Sequence, residues 1–331
     1  MLEKPIHRED AAVATPLIGI LSNCASTRNR RRLNAVRRLV ARSPHVFHFQ
    51  FEDIAAIPEA LRLFADAQVA MIVINGGDGT IQATLSSILD DRPFKTVPPL
   101  AILPGGKTNM IAADLGARGT PERVLKRLFR LVKRGRLERH LTKRAVISLD
   151  LGDGSPPRIG LFFGTGGVAN GIRWCREKIH PLGIPAPLAH AFSIAGLLLA
   201  AMLGVKNSPL RTEPQTIVLD DGRRLHGRFA IVIASTLERL LFGLRPFGLE
   251  GKGRIKFSAI GYGAGPIWRA ILGLALGRFA QGGIAGCHVG RADHIRIEGP
   301  APVTLDGEIY RPAAGRPVVL DCPGTLSFVH L

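Results

Sequence analysis

The chain has 331 residues, of which 46% are apolar. That is enough for one large or two medium domains with their own cores, and too many for a disordered polymer. Lys and Arg outnumber Asp and Glu by 44 to 26, and the resulting +18 favours nucleotide phosphates, acidic membrane surfaces or nucleic acid without choosing among them. Cys24, Cys175, Cys287 and Cys322 are too scattered for a zinc site or a disulfide framework and fit a reducing cytoplasm; the opening MLEKPIHREDAAVATP lacks the apolar core of a signal peptide or anchor.

From residue 17 to about 135, strand and helix patterns alternate. LIGILSN reads as a strand, Arg31 to Val40 as a helix, FHFQF as a short strand and Pro58 to Ala67 as a helix. A strand from Val69 to Ile74, a helix carrying Ile81, Leu85, Ile88 and Leu89, and the strand LAILP follow. This alternation predicts a parallel sheet covered by helices on both faces, with ligands beyond the carboxyl ends of its strands. Asn23, the loop NGGDGT and the loop PGGKTN all fall at such ends.

Gly76, Gly77 and Gly79 sit at a strand-to-helix turn. Glycine permits positive φ and exposes bare backbone to a ligand, and the helix start offers unpaired N–H groups, so the turn reads as a phosphate cradle. Asp78 within it needs a metal ion or a role as base to be compatible with phosphates. A purely structural turn is the bland alternative.

The next helix, Pro121 to Arg134, has Thr120 as N-cap and Gly135 beyond its end. Val124, Leu125, Leu128, Leu131 and Val132 form one stripe and basic residues cover the rest, which suits a core-facing helix with a solvated basic side, or docking on acidic lipid. After about residue 143 the runs RAVISLDLG, IGLFFGTG, TIVLDDGRRLHGRFAIVIAS, GRIKFSAI, DHIRIEG and APVTLDGEIYRP are short and β-rich, with helices expected near 188–204 and 266–279. The expected organisation is an α/β domain over 17–140 and a mainly antiparallel β domain over 143–331, with the active site in the cleft between them. PLAHAFSIAGLLLAAMLGV, 187–205, is the most apolar window and reads as a buried helix, a membrane-contacting helix or, least well, a span.

NGGDGT at 75–80, LAILPGGKTNMIAADLG at 100–116 and LDGE at 305–308 together resemble the diacylglycerol kinase catalytic-domain family, which includes bacterial lipid kinases and the sphingosine and ceramide kinases. SNCAST at 22–27 is similar to a degenerate form of that family's N-terminal loop. The resemblance implies a Rossmann-like, phosphofructokinase-like α/β nucleotide-binding domain followed by a β-sandwich. It also implies ATP and Mg2+ in the cleft, and transfer of the γ-phosphoryl group to a lipid hydroxyl. Asp78 is then the candidate general base, Glu308 a magnesium-linked residue or second base, with exchangeable roles, and Asp306 a turn residue. Asn23, Ser26, Thr27, Gly76, Gly77, Gly79, Thr80, Gly106, Lys107, Thr108 and Asn109 become candidates for holding the nucleotide.

Lys107 stands where the family has threonine and Met110 where it has aspartate. Lys107 is either a phosphate contact or a solvated loop lysine. In FGLEGKGRIKF, Lys252 replaces the aspartate of a metal loop found in some bacterial members, so that site is expected to be absent. The resemblance implies a lipid substrate at an anionic membrane surface, with a cytoplasmic protein held peripherally on the inner face. Two Trp and two Tyr give no stacking platform for nucleic acid, and oligomeric state is not readable. The alternatives are an NAD kinase-like small-molecule kinase, which shares GGDGT but usually carries an asparagine-glutamate pair in a second loop that is not found here, and a non-catalytic membrane-binding homologue.

Overall fold

The computed structural model describes residues 15–174, 213–248, 251–299 and 301–331; the 187–205 window, Cys175 and Glu250 lie outside them. The first part of the chain runs β1 (Ile18–Asn23), α1 (Asn29–Val40), β2 (Val46–Phe51), α2 (Ile57–Asp66), β3 (Met71–Gly76), α3 (Asp78–Asp90), β4 (Leu100–Pro104), α4 (Met110–Asp114), α5 (Pro121–Lys133) and β5 (Leu141–Ala145). Every residue of β1, β3 and β4 is buried, as continuous Ile, Leu and Val runs require of parallel strands covered on both faces. Phe64 of α2 lies so close over β1 that a Cβ on Gly19 would come within 2.8 Å of its ring.

In α5, Val124, Leu125, Leu128 and Val132 are buried in the same core while Arg123, Lys126, Arg127 and Arg130 stay exposed. The apolar stripe is therefore core-facing. It is consumed by the fold, and only the basic side of the helix can meet a partner.

The rest comprises β6 (Ile147–Asp150), β7 (Arg158–Gly160), β8 (Phe162–Gly166), α6 (Gly167–Trp174), β9 (Gln215–Leu219), β10 (Arg224–Gly227), β11 (Phe229–Ser235), β12 (Ile255–Gly261) and α7 (Ala264–Ala275). β13 (Cys287–Ala292), β14 (His294–Glu298), β15 (Val303–Leu305), β16 (Glu308–Tyr310), β17 (Val318–Asp321) and β18 (Thr325–Val329) complete it. Two antiparallel sheets, ordered β10-β9-β14-β17-β6-β7 and β13-β12-β11-β8-β15-β16, face each other across Leu149, Phe163, Ile217, Val232, Phe257, Ile295 and Leu320. This is the α/β-then-β-sandwich architecture expected from the sequence.

β18 departs from that scheme. The first sheet is ordered β2-β1-β3-β4-β18-β5, with β18 parallel to β4 and antiparallel to β5. A strand from the 143–331 segment thus completes the α/β sheet. Alternating patterns reveal strands but not partners separated by most of the chain.

α3 is wedged between the two parts. Ser86 Oγ accepts from the Ile159 amide at 3.1 Å, and Tyr310 OH donates to Gln82 Oε1 at 2.8 Å. A second clasp centres on Asp114, buried at the end of α4, which accepts from the amides of Glu238 and Arg239 at 3.1 and 2.8 Å and pairs with Arg144 at 3.3 Å. Lys256 and Arg144 both reach Glu238, at 2.7 and 2.8 Å. The cleft is therefore pinned on both flanks by hydrogen bonds from buried or half-buried groups, which are costly to break.

Candidate active site

The loops that follow β1, β3 and β4 are knitted to one another. Ser26 Oγ accepts from the Gly77 amide at 3.2 Å, and the Arg28 amide donates to Gly105 O at 3.1 Å. Asn23 Nδ2 donates to Thr80 Oγ1 at 2.9 Å, and both side chains are buried. These two candidates therefore buttress the first turn of α3 rather than facing the cleft. Asn109, in left-handed backbone at φ 52°, closes its own loop, accepting from Gly106 N and donating to Gly106 O, each at 2.8 Å. Its side chain thereby fixes the shape of the loop at the cleft. Thr27 and Lys107 are exposed, Ser26 and Thr108 partly so.

The glycines have a different reason from the one the sequence suggests. None of Gly76, Gly77, Gly79, Gly105 and Gly106 has positive φ. At Gly105 and Gly106 what demands glycine is contact between backbones. A Cβ on Gly106 would lie 2.8 Å from Gly77 Cα, one on Gly105 would lie 2.9 Å from Gly76 N and O, and one on Gly76 would strike the buried Thr80 side chain. The second and third loops touch main chain to main chain, so only residues without side chains fit. Gly77 is the N-cap of α3, and among the described residues the amides of Asp78 and Gly79 in its first turn have no hydrogen-bond partner. That is where an anion would be received.

Two carboxylates arrive at this turn from opposite sides. Asp78 opens α3, and Glu308 opens β16 with its Oε1 only 3.6 Å from where a Cβ of Gly79 would stand. Burial, and then the charge of Glu308, raise the Asp78 carboxyl from 3.8 to about 7. Asp306 is a third carboxylate that the sequence reading treated as a turn residue. Its backbone does turn, at φ 48°, but its side chain is buried and accepts from Phe162 N at 2.9 Å and from Leu161 N at 3.1 Å. Burial, then Asp78, push it up to about 8 against the pull of those two amides. Gly160 makes the fit possible, since a Cβ there would meet Asp306 Oδ2 at 2.6 Å. A buried aspartate beside a second acid is the signal of a functional cluster, but only the fold brings these residues together.

The carboxylates suit a divalent cation in one respect. Asp78 and Glu308 are hard oxygen donors whose mutual repulsion a cation would relieve, and Mg2+ needs only one or two protein carboxylates when substrate phosphates supply further oxygens. Among the described residues, no group of three His, Cys, Asp or Glu could hold a metal by itself. Lys252 is exposed where the family's metal loop has an acid, whereas Glu250 lies outside the described residues.

Comparison with known proteins agrees with this geometry. Residues 18–137 match the family model of the diacylglycerol kinase catalytic domain. A Bacillus anthracis str. Sterne structure provisionally assigned as a diacylglycerol kinase aligns over 98% of this chain and 99% of its own, with 18% identity and a TM-score of 0.66. A second from that organism, described as a diacylglycerol kinase, aligns over 96% and 97% with 16% identity and a TM-score of 0.57. At such identities these likenesses establish a shared fold across nearly the whole chain. The family match thus covers β1 to α5 as a diacylglycerol kinase catalytic domain, and the fold is shared with those structures across nearly the whole chain.

Proposed function

We propose that this protein is an ATP-dependent lipid kinase that transfers the γ-phosphoryl group to a hydroxyl of a diacylglycerol-, acylglycerol- or sphingoid/ceramide-type lipid. The observation that carries the reading is the meeting of Asp78 and Glu308, from the α/β part and the sandwich respectively, at the open amides of α3. Phosphoryl transfer asks a protein to hold phosphates, neutralise charge and orient the acceptor oxygen. The Asp78 and Gly79 amides and Lys107 serve the first need. An acid raised to about 7 serves the last, because a base near neutrality is strong enough to take the hydroxyl proton and still about half ionised near pH 7. Mg2+ brought with the nucleotide would be held by Glu308, or by Asp78 if the two exchange roles, and would supply charge neutralisation.

Incubating the purified chain with radiolabelled ATP, Mg2+ and an extracted lipid mixture should give a labelled lipid whose identification names the acceptor. No labelled lipid from a protein that binds ATP would sink this reading.

Two quantitative expectations follow from the site. Asp78 acts as the carboxylate, and its proton is lost only around pH 7, so kcat/KM should fall as pH drops below about 7 rather than below 4. An acid limb near 4 would remove Asp78 as the base. Truncating the exposed Lys107 to Ala should raise the KM for ATP several-fold with little change in the KM for lipid, since a charge contact made equally in ground and transition states would be lost. An unchanged KM for ATP would return Lys107 to the solvated reading.

The proposed partner is an anionic membrane surface, engaged peripherally from the cytoplasmic side. Two features support it. Arg30, Arg31, Arg37 and Arg38 of α1 and the basic face of α5 point outward, each worth on the order of 1 kcal/mol near acidic lipid. On α7, Trp268, Leu272 and Leu276 recur at helical spacing and are 56%, 50% and 58% exposed, an apolar stripe suited to the headgroup boundary. Among the described residues, no helix is long and apolar enough to cross a membrane.

A further inference from the structure

A second cavity among the described residues lies away from the cleft at α3. It has a volume of about 900 Å³ and lies between α6, the end of β14 and the loop joining β16 to β17. Four arginines line it, Arg173 from α6, Arg296 from β14, and Arg311 and Arg316 from the loop. The one acid in the lining, Glu298, is bound to Arg296 at 3.0 Å. Among the described residues, Arg173, Arg311 and Arg316 form no ion pair. Scattered surface arginines would each be solvated separately; three without counter-charges, converging on one concavity from two separate elements, repel one another unless an anion enters.

The lining also selects what kind of anion. Guanidinium forks match phosphate oxygens two at a time. Between them the walls are apolar, with Ile309, Pro312 and Pro317 among them, and the volume is several times that of a bare phosphate. The loop bearing Arg311 and Arg316 is held rather than loose. Ala313 N donates to Leu151 O at 3.1 Å, and Gly152 lies so close that a Cβ on it would be 2.7 Å from Arg316 Cβ. Arginines mounted on an anchored loop lose less freedom when they close on a ligand.

This cavity is also distinct from the catalytic cleft. Along β16, Glu308 lies against Gly79 and Tyr310 reaches Gln82 on the α3 side, whereas Ile309 between them faces the cavity. The two sites lie on opposite faces of one short strand.

We propose that this cavity binds a phosphate-bearing ligand with an apolar arm, its phosphate clamped by Arg173, Arg311 and Arg316. The shared chemistry is a phosphate ester, from either a phospholipid headgroup or a soluble metabolite, and the site stands on its own geometry whether or not lipid phosphorylation is found. Calorimetric titration of the full chain with monomeric dihexanoyl phosphatidylglycerol and, separately, with glycerol 3-phosphate tests it. Arg311→Gln/Arg316→Gln should weaken whichever probe binds by at least about tenfold, the worth of one charge-assisted contact. Arg173→Gln should weaken the same probe, which local damage to the loop could not explain. Arg224→Gln/Arg245→Gln, which removes equal charge from exposed positions outside the cavity, should leave binding unchanged. Binding of both probes assigns a soluble ester, and binding of the lipid alone assigns a headgroup. Binding of neither, or equal weakening in both double variants, overturns the proposal.

Discussion

Asp78→Asn should lower kcat for lipid phosphorylation by at least about a hundredfold, since a positioned general base contributes ~10² to 10⁴ in rate. The variant keeps the size of the side chain and removes only the charge, so the loss reads the carboxylate's chemistry. Folding should survive. The native carboxyl is crowded by Glu308 and by Asp306, which carries the effect of Asp78 in its own raised value. A carboxyl whose folded value lies above its unfolded one costs the fold progressively more as pH rises from about 4 to about 7, because the folded protein keeps a proton that the unfolded chain has released. Asparagine carries no such penalty. The melting temperature of the variant relative to the native protein should therefore climb across that pH range. Turnover near normal at saturating ATP and Mg2+ would refute the assignment of Asp78 as the base, and a pH-independent difference in Tm would refute the electrostatic account of its environment.

Gly106→Ala is expected to damage both the fold and the nucleotide site. Its new Cβ would stand 2.8 Å from Gly77 Cα, and since that atom is backbone it has no flexible end to move aside. Overpacking of this kind costs about 1–3 kcal/mol, which in a chain of this size lowers Tm by a few degrees. Because the contact joins the loops after β3 and β4, relief must come from spreading them, so the KM for ATP should rise together with the loss of stability. Gly324→Ala is the control. Nothing lies within 4 Å of a Cβ there, and its backbone is not in the left-handed region, so it should behave like the native protein. Equal effects of the two substitutions would mean that the loops do not depend on their contact.

Much of the architecture was legible because it is written in local periodicity. β1, β3 and β4 are short apolar runs, α5 is a stripe, and each predicts its own burial without reference to anything distant. Asp78 and Glu308 stood out as candidates for a different reason, since NGGDGT and LDGE are unusual enough as strings to resemble one family. What stayed hidden depends on contacts between distant residues. Thr80 accepts from Asn23, 57 positions earlier, a contact that local pattern does not reveal. Asp306 looks like a turn residue, and by its backbone it is one, but the amides that make it a buried acid lie about 145 positions away. Gly76, Gly77 and Gly79 suggested positive φ, which none of them has, and at Gly76 the constraint is proximity instead.

The position of β18 in the first sheet bears on how the chain is made. Leu100 waits for its partner Phe328 through roughly 230 further residues, which at about 5–20 residues per second is on the order of 10–45 s of synthesis. Throughout that time β4 presents an unpaired apolar border, and β5, whose ladder is with β18, has no neighbour to join. A nascent fragment ending near residue 145 therefore carries the complete GGDG loop on a sheet with an open edge, prone to pair with other chains. Expression of that fragment alone should yield aggregate, and supply of the 325–331 peptide in trans is the rescue that the topology itself suggests.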